Sequence, residues 1–176
     1  MPTVAAVAID PGHHFSKTLQ TSIRLLEGLG VEGDAHAGTY VRHRFLARRQ
    51  PRLANLRQVH LMPDELFQAL RSEGHDVRPG QLGENITTRG LELETLPLGS
   101  LLSIDASAVV ELTGLRTPCA LIDRFQPGLR QKLMLTGTTP CRAGVLGIVR
   151  SGGTVTPGDE IAVTLPPTPR KRLPLL

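Results

Sequence analysis

Leu101-Leu102-Ser103-Ile104-Asp105-Ala106-Ser107-Ala108-Val109-Val110-Glu111-Leu112 is the stretch that decides the fold. Two short apolar runs flank Asp105-Ala106-Ser107, the pattern of a hairpin pair. Working outward, the same grammar recurs. Thr3 to Ile9 is a β-rich run closed by Asp10-Pro11-Gly12, and Ser22 to Leu26 and Leu56 to Met62 are further strand candidates. Asn85 to Thr88, Val145 to Val149 and Ile161 to Leu165 follow, separated by Gly152-Gly153 and Pro157-Gly158-Asp159. Helical signals are few. Pro63-Asp64-Glu65 opens one helix, with Leu66, Phe67 and Leu70 on its apolar face and Gly74 ending it. Pro127 to Leu135 is a second candidate. Many short strands and about two peripheral helices predict a mostly-β fold of barrel type. The expectation is one domain over 1–165 and a proline-rich basic tail over 166–176, extended or disordered.

Bulk composition narrows the function. Aromatics are 3% with no Trp, so the core must be aliphatic, and the base-stacking platform of a single-strand nucleic-acid binder is missing. A net charge of +4 suits anionic ligands without requiring DNA or RNA. Cys119 and Cys141 are the two cysteines; they form no disulfide framework and no zinc spacing. The N-terminal apolar run is short and lacks a basic leader, and no run reaches the roughly 18 apolar residues of a membrane span. A reducing cytoplasm is the expected compartment.

Cys119 heads the candidate sites. It ends Thr113-Gly114-Leu115-Arg116-Thr117-Pro118-Cys119, where a strand runs out into a turn. Arg116 can favour a thiolate, the form that attacks or binds soft metals. Position alone fits a packed core thiol equally well. Cys141 reads as an incidental thiol at a strand start. Gly28-Leu29-Gly30-Val31-Glu32-Gly33 matches a dinucleotide fingerprint, but Asp34-Ala35-His36 follows where a helix must start, so a nucleotide-fold reading fails. Asp34 and His36 can share a ligand or simply order their own loop. His13, His14, His43 and His60 have no specific ligand spacing. Arg42, Arg44, Arg48, Arg49, Arg52 and Arg57 form the densest charge cluster. Most read as solvated, but Arg57 abuts a strand and can be held toward a site. Glu84 and Asn85, after Gly83, can bond a polar heterocycle or close their own turn.

In order along the chain, Gly30-Val31-Glu32-Gly33-Asp34-Ala35-His36, Arg57-Gln58-Val59-His60-Leu61 and Gly80-Gln81-Leu82-Gly83-Glu84-Asn85-Ile86 resemble the MOSC domain. Leu98-Gly99, Arg116-Thr117-Pro118-Cys119, Ala143-Gly144-Val145-Leu146-Gly147 and Pro157-Gly158-Asp159 extend the resemblance over about residues 3 to 165. This family comprises the C-terminal domain of molybdenum cofactor sulfurases and stand-alone bacterial proteins. The resemblance implies a β-barrel related to the pyruvate-kinase barrel domain. It also implies a functional cysteine that carries sulfur or ligates molybdenum, which falls on Cys119. It suggests cofactor-binding tasks for Asp34, His36, Arg57, Glu84, Asn85 and Arg116 toward molybdopterin.

The sequence shows no pyridoxal-phosphate-dependent desulfurase domain and no ferredoxin domain. The resemblance therefore implies partners: an electron-donor flavoprotein or ferredoxin, or a cysteine desulfurase. Three functions follow as expectations. One is a molybdenum-cofactor-dependent reductase of N-hydroxylated substrates. Another is a sulfur carrier with a Cys119 persulfide. The last is a non-enzymatic basic module using the Arg42 to Arg57 stretch, against which the scarce aromatics count.

Overall fold

The computed structural model describes residues 1–40, 48–50, 52–134 and 139–176. Arg42, His43, Arg44 and Leu135 lie outside these residues. The fold is mostly β, with strands β1 (Thr3–Ile9), β2 (Thr18–Gln20), β3 (Ile23–Leu26), β4 (Gly30–Val31), β5 (Val59–Pro63) and β6 (Ile86–Arg89) in its first half. Strands β7 (Leu101–Ile104), β8 (Ala108–Leu115), β9 (Val145–Ser151), β10 (Gly153–Val155) and β11 (Ile161–Thr164) follow. The helices are α1 (Asp64–Ser72), α2 (Leu121–Phe125) and α3 (Leu129–Met134). The stretch read as one helix over 127–135 is thus the second of a pair, because Pro127-Gly128 breaks the chain between α2 and α3.

The predicted hairpin pairs β7 with β8 from Leu101↔Glu111 to Ile104↔Ala108. Asp105 takes a left-handed conformation with φ 50° at its three-residue loop, a position that Asp tolerates. The main sheet runs β11-β7-β8-β9-β5-β6-β1-β2. It closes on itself: Val4 N–H donates to Asp159 O at 2.9 Å and Ile161 N–H to Pro2 O at 2.8 Å, bringing β1 onto the start of β11. Closure removes the open edges of the long strands. A smaller sheet, β10-β3-β4, lies beside it. The glycine-rich 28–38 stretch forms β4 and turns, with no helix after it.

Alternation along β5 separates two layers. Val59 and Leu61 join the barrel core with Leu102, Val110, Leu112 and Val145. Met62 instead joins Leu66, Phe67, Leu70, Ile122, Leu129 and Leu133 beneath the helices. Helix α1 is the crossover between parallel strands β5 and β6, so the loop that follows it delivers Glu84 and Asn85 beside His60. Tail residues 166–176 are extended and held rather than loose. Leu98 N–H donates to Lys171 O, Leu115 N–H to Pro174 O, and Leu173 is buried in the barrel core.

Candidate functional site

The site is framed by a buried polar network. Asp34, with a side chain wholly shielded from solvent, accepts both carboxylate contacts from Lys17 Nζ at 2.9 Å. It also accepts the N–H groups of Asp10 at 3.0 Å and His36 at 3.1 Å, and Asn85 Nδ2 at 3.2 Å. Burial opposes ionisation of Asp34, but the His36 hydrogen bond and the Lys17 ammonium outweigh it and hold the carboxyl well below the usual range. Burial in turn pulls Lys17 down, with Asp34 restoring part of its basicity. Asn85 bridges three segments: Nδ2 also donates to Ala8 O, and Oδ1 accepts His60 N–H. Asp34 and Asn85 are therefore committed to internal partners. His36 is half-buried, its ring edge-on to His13 with centroids 5.3 Å apart. Lys17 carried no motif of its own in the sequence; a lysine after the His13-His14-Phe15-Ser16 loop is legible only once Asp34 is known to be buried.

Glu84 is fully buried. Its Oε1 accepts the N–H of Gly80 and the Thr87 hydroxyl, the latter at 3.2 Å, while Oε2 has no hydrogen-bond partner. Burial raises its pKa. Arg116 leaves β8 at the start of the Cys119 turn, its N–H donating to Gly144 O at 3.0 Å. Its Nη1 is buried and unpartnered. Burial lowers the Arg116 pKa, and electrostatic interaction with Cys119 and then Glu84 partly restores it. Arg57 is lowered first by burial and then by the like charge of Arg116. Thr113, at a β8 bulge, ties the segment before Arg57 to β8: its hydroxyl donates to Leu56 O at 2.6 Å. Asn55 Oδ1 accepts the Arg57 N–H at 3.0 Å.

His60, also buried, has Nε2 at 2.9 Å from Ala143 O, so Nε2 carries the proton and donates. Burial, then the Arg116 charge, keeps this ring neutral well below its ordinary pKa. Gly144 makes room for it: at φ 84°, an added Cβ would stand 2.3 Å from Leu61 O and 2.9 Å from His60 Nε2.

The two thiols differ. Cys119 is half-buried and, like Phe15 and Phe125, packs against the buried cluster of the helical layer; its carbonyl accepts Ile122 N–H at the start of α2. Cys141 is buried in the barrel core, and its Sγ–H donates to Arg116 O at 3.3 Å. Burial raises the Cys141 pKa, so it stays a thiol. Arg116 thus interacts electrostatically with Arg57, Glu84 and Cys119, while Asp34 and Asn85 are spent on the internal polar network. Arg52 is exposed. Among the described residues, no group of three or more His, Cys, Asp or Glu can hold a metal ion. No described helix is long and apolar enough to cross a membrane. Two surface cavities, of about 460 and 670 Å³, are lined by other residues.

Similar proteins agree with this architecture. The YUAD protein from Bacillus subtilis superposes with a TM-score of 0.75 at 24% identity, over 93% of this chain and 96% of that one. YiiM from Geobacillus stearothermophilus gives 0.69 at 17% identity, over 98% of this chain and 80% of that one. YiiM from Escherichia coli gives 0.62 at 20% identity, over 96% and 73%. These likenesses show a shared fold. No curated protein sequence matches the chain. The sequence model described as the MOSC domain matches residues 33–162, a span that contains Asp34, Arg57, Glu84, Arg116 and Cys119 but not Lys17. With that match over most of its length and a closed barrel carrying the half-buried cysteine, the chain belongs to the MOSC domain family.

Proposed function

We propose that this protein binds a molybdenum–pterin cofactor with Cys119 as the metal ligand. In this reading it reduces N-hydroxylated substrates with electrons from a partner flavoprotein or ferredoxin. One observation carries it. Glu84 Oε2 and Arg116 Nη1 are buried, chemically opposite and unpartnered, and Arg116 is electrostatically coupled to both Glu84 and Cys119. Such atoms are costly to leave unmet, and a ligand with both donor and anionic groups would satisfy them together.

The residues fit the cofactor. Arg57 and Arg116 would hold its phosphate through their fixed forks. Glu84 would accept the N–H groups of the pterin edge. Cys119 would offer a soft thiolate to the metal. When bound, the cofactor supplies two-electron reduction, and the chain orients it and excludes water. Neutral His60 adds no charge beside the guanidiniums. Burial makes the Glu84 carboxyl readier than an exposed one to hold a proton.

The test is purification from a host that makes the cofactor, followed by molybdenum and pterin analysis. Enrichment in the wild type and loss in Cys119→Ser is the expected result. Equal metal in both removes the reading. Cys119 is half-exposed whereas Cys141 is buried, which also favours a second role, a Cys119 persulfide loaded by a cysteine desulfurase. Mass spectrometry after incubation with a desulfurase would then find one added sulfur on Cys119. Sulfur on Cys141 alone would rule this out.

A further inference from the structure

We propose that the last described segment, Leu173 to Leu176, is a strap that positions the Cys119 turn, with Leu176 seated over Gly114 as its anchor. This deepens the reading of Cys119 as the functional thiol and rests on it.

Strand β7 begins at Leu101, so it leaves the end of β8 without a full neighbour. Leu112 still reaches back, donating to Ser100 O and accepting Gly99 N–H. Beyond it the strap takes over in parallel register, Leu115 opposite Leu175. Leu115 N–H donates to Pro174 O at 2.7 Å, and Leu176 N–H donates to Leu115 O at 2.9 Å. Thr117 N–H then donates to Leu176 O at 3.2 Å, two residues before the thiol.

Gly114 makes this approach possible. Its backbone is not left-handed, so the glycine serves space rather than conformation. An added Cβ would stand 2.5 Å from Leu176 Cγ, 2.6 Å from Leu176 Cδ1 and 2.8 Å from Pro174 O. On the other side of the turn, Gly144 O and the Cys141 thiol bond the backbone of Arg116. Arg130 Nε donates to Pro118 O at 3.2 Å. The turn is held from both sides, and the strap supplies one of them. Leu175 and Leu176 contribute no barrel-core side chain, whereas Leu173 does. Positioning and folding are therefore separable along this segment.

The test is iodoacetamide labelling of the full chain, read peptide by peptide so that Cys119 is distinguished from Cys141. Gly114→Ala should raise the Cys119 rate roughly tenfold, the scale of a local opening that releases a few backbone bonds. Leu176→Ala in the otherwise wild-type chain, which removes the side chain seated over Gly114, should raise the rate in the same direction. If Gly114→Ala does not fold, removal of Leu175 and Leu176, which leaves Leu173 in place, should raise the rate likewise. An unchanged Cys119 rate in the folded variants overturns the proposal. So does a rise that falls on Cys141 alone. A metal-ligated thiol resists alkylation, so the labelled proteins are compared at matched molybdenum content, and failure of the cofactor reading shows separately, as wild-type protein without molybdenum.

Discussion

Asp34 shows how a residue singled out as a ligand can instead be the frame of a site. Its loop invited a metal or cofactor reading, yet both oxygens are spent on Lys17, on two backbone N–H groups and on Asn85. Asp34→Asn should strand the Lys17 ammonium and destabilise the fold by about 3–5 kcal/mol, measured by denaturant titration. The pH dependence has a definite sign. A carboxyl depressed on folding stabilises fully above its unfolded value of 3.8 and loses that contribution as pH falls further. The penalty of Asp34→Asn should therefore be full at pH 7 and shrink below about pH 4. A penalty that grows in acid would contradict the assignment. Glu84 has the opposite sign, since burial raises it from 4.5 and its ionised form costs stability above that pH. Glu84→Gln should leave stability equal or improve it by about 1 kcal/mol at pH 7, while lowering bound pterin in the purified protein. A large loss of stability would mean that Glu84 serves the fold alone.

At the scale of elements, the strands were legible because turn residues punctuate them, and β5 through β9 fall close to the segments read from the sequence. What escaped was β2, β4 and β10, each two or three residues long and too short to show alternation. Gly152-Gly153 was read as a separator, yet Gly153 opens β10, because Ser107 Oγ and Ala108 lie where a Cβ would project. The junction of β5, β8 and β9 was also invisible, since its geometry hangs on one long-range approach. Gly144, left-handed at φ 84°, sits against Leu61 O and beside His60, and its carbonyl holds Arg116. Gly144→Ala should cost about 2–4 kcal/mol from the strained conformation and the displaced β5 carbonyl. It should also release His60 from Ala143 O, an acceptor that favours the protonated ring, so His60 should stay neutral to still lower pH in an NMR pH series. An unaltered His60 titration in the Gly144→Ala variant would show that the ring is held by its other neighbours.

On the whole-molecule scale, barrel closure and the course of 166–176 were the features no local signal could announce. Pro166-Pro167 and Arg170-Lys171-Arg172 have the composition of a solvated tail, and only the apolar positions among them hint otherwise. Closure itself rests on β1 meeting the turn before β11, a contact between segments at opposite ends of the chain. The tail then lies across strand ends that this closure leaves open, bonding Leu98 and Leu115 and lowering Leu173 into the barrel core. A loose basic tail and an integral strap predict different thermodynamics. If the tail is integral, Leu173→Ala removes a core side chain and should cost about 2–5 kcal/mol, with a matching fall in thermal midpoint. Lys171→Ala changes an exposed side chain whose backbone carbonyl still accepts Leu98 N–H, so it should stay within about 0.5 kcal/mol of wild type. Equal, negligible effects from both substitutions would show that the barrel is stable without its tail. A large effect confined to Leu173→Ala would show that these late residues complete the core that the hairpin at Leu101 to Leu112 begins.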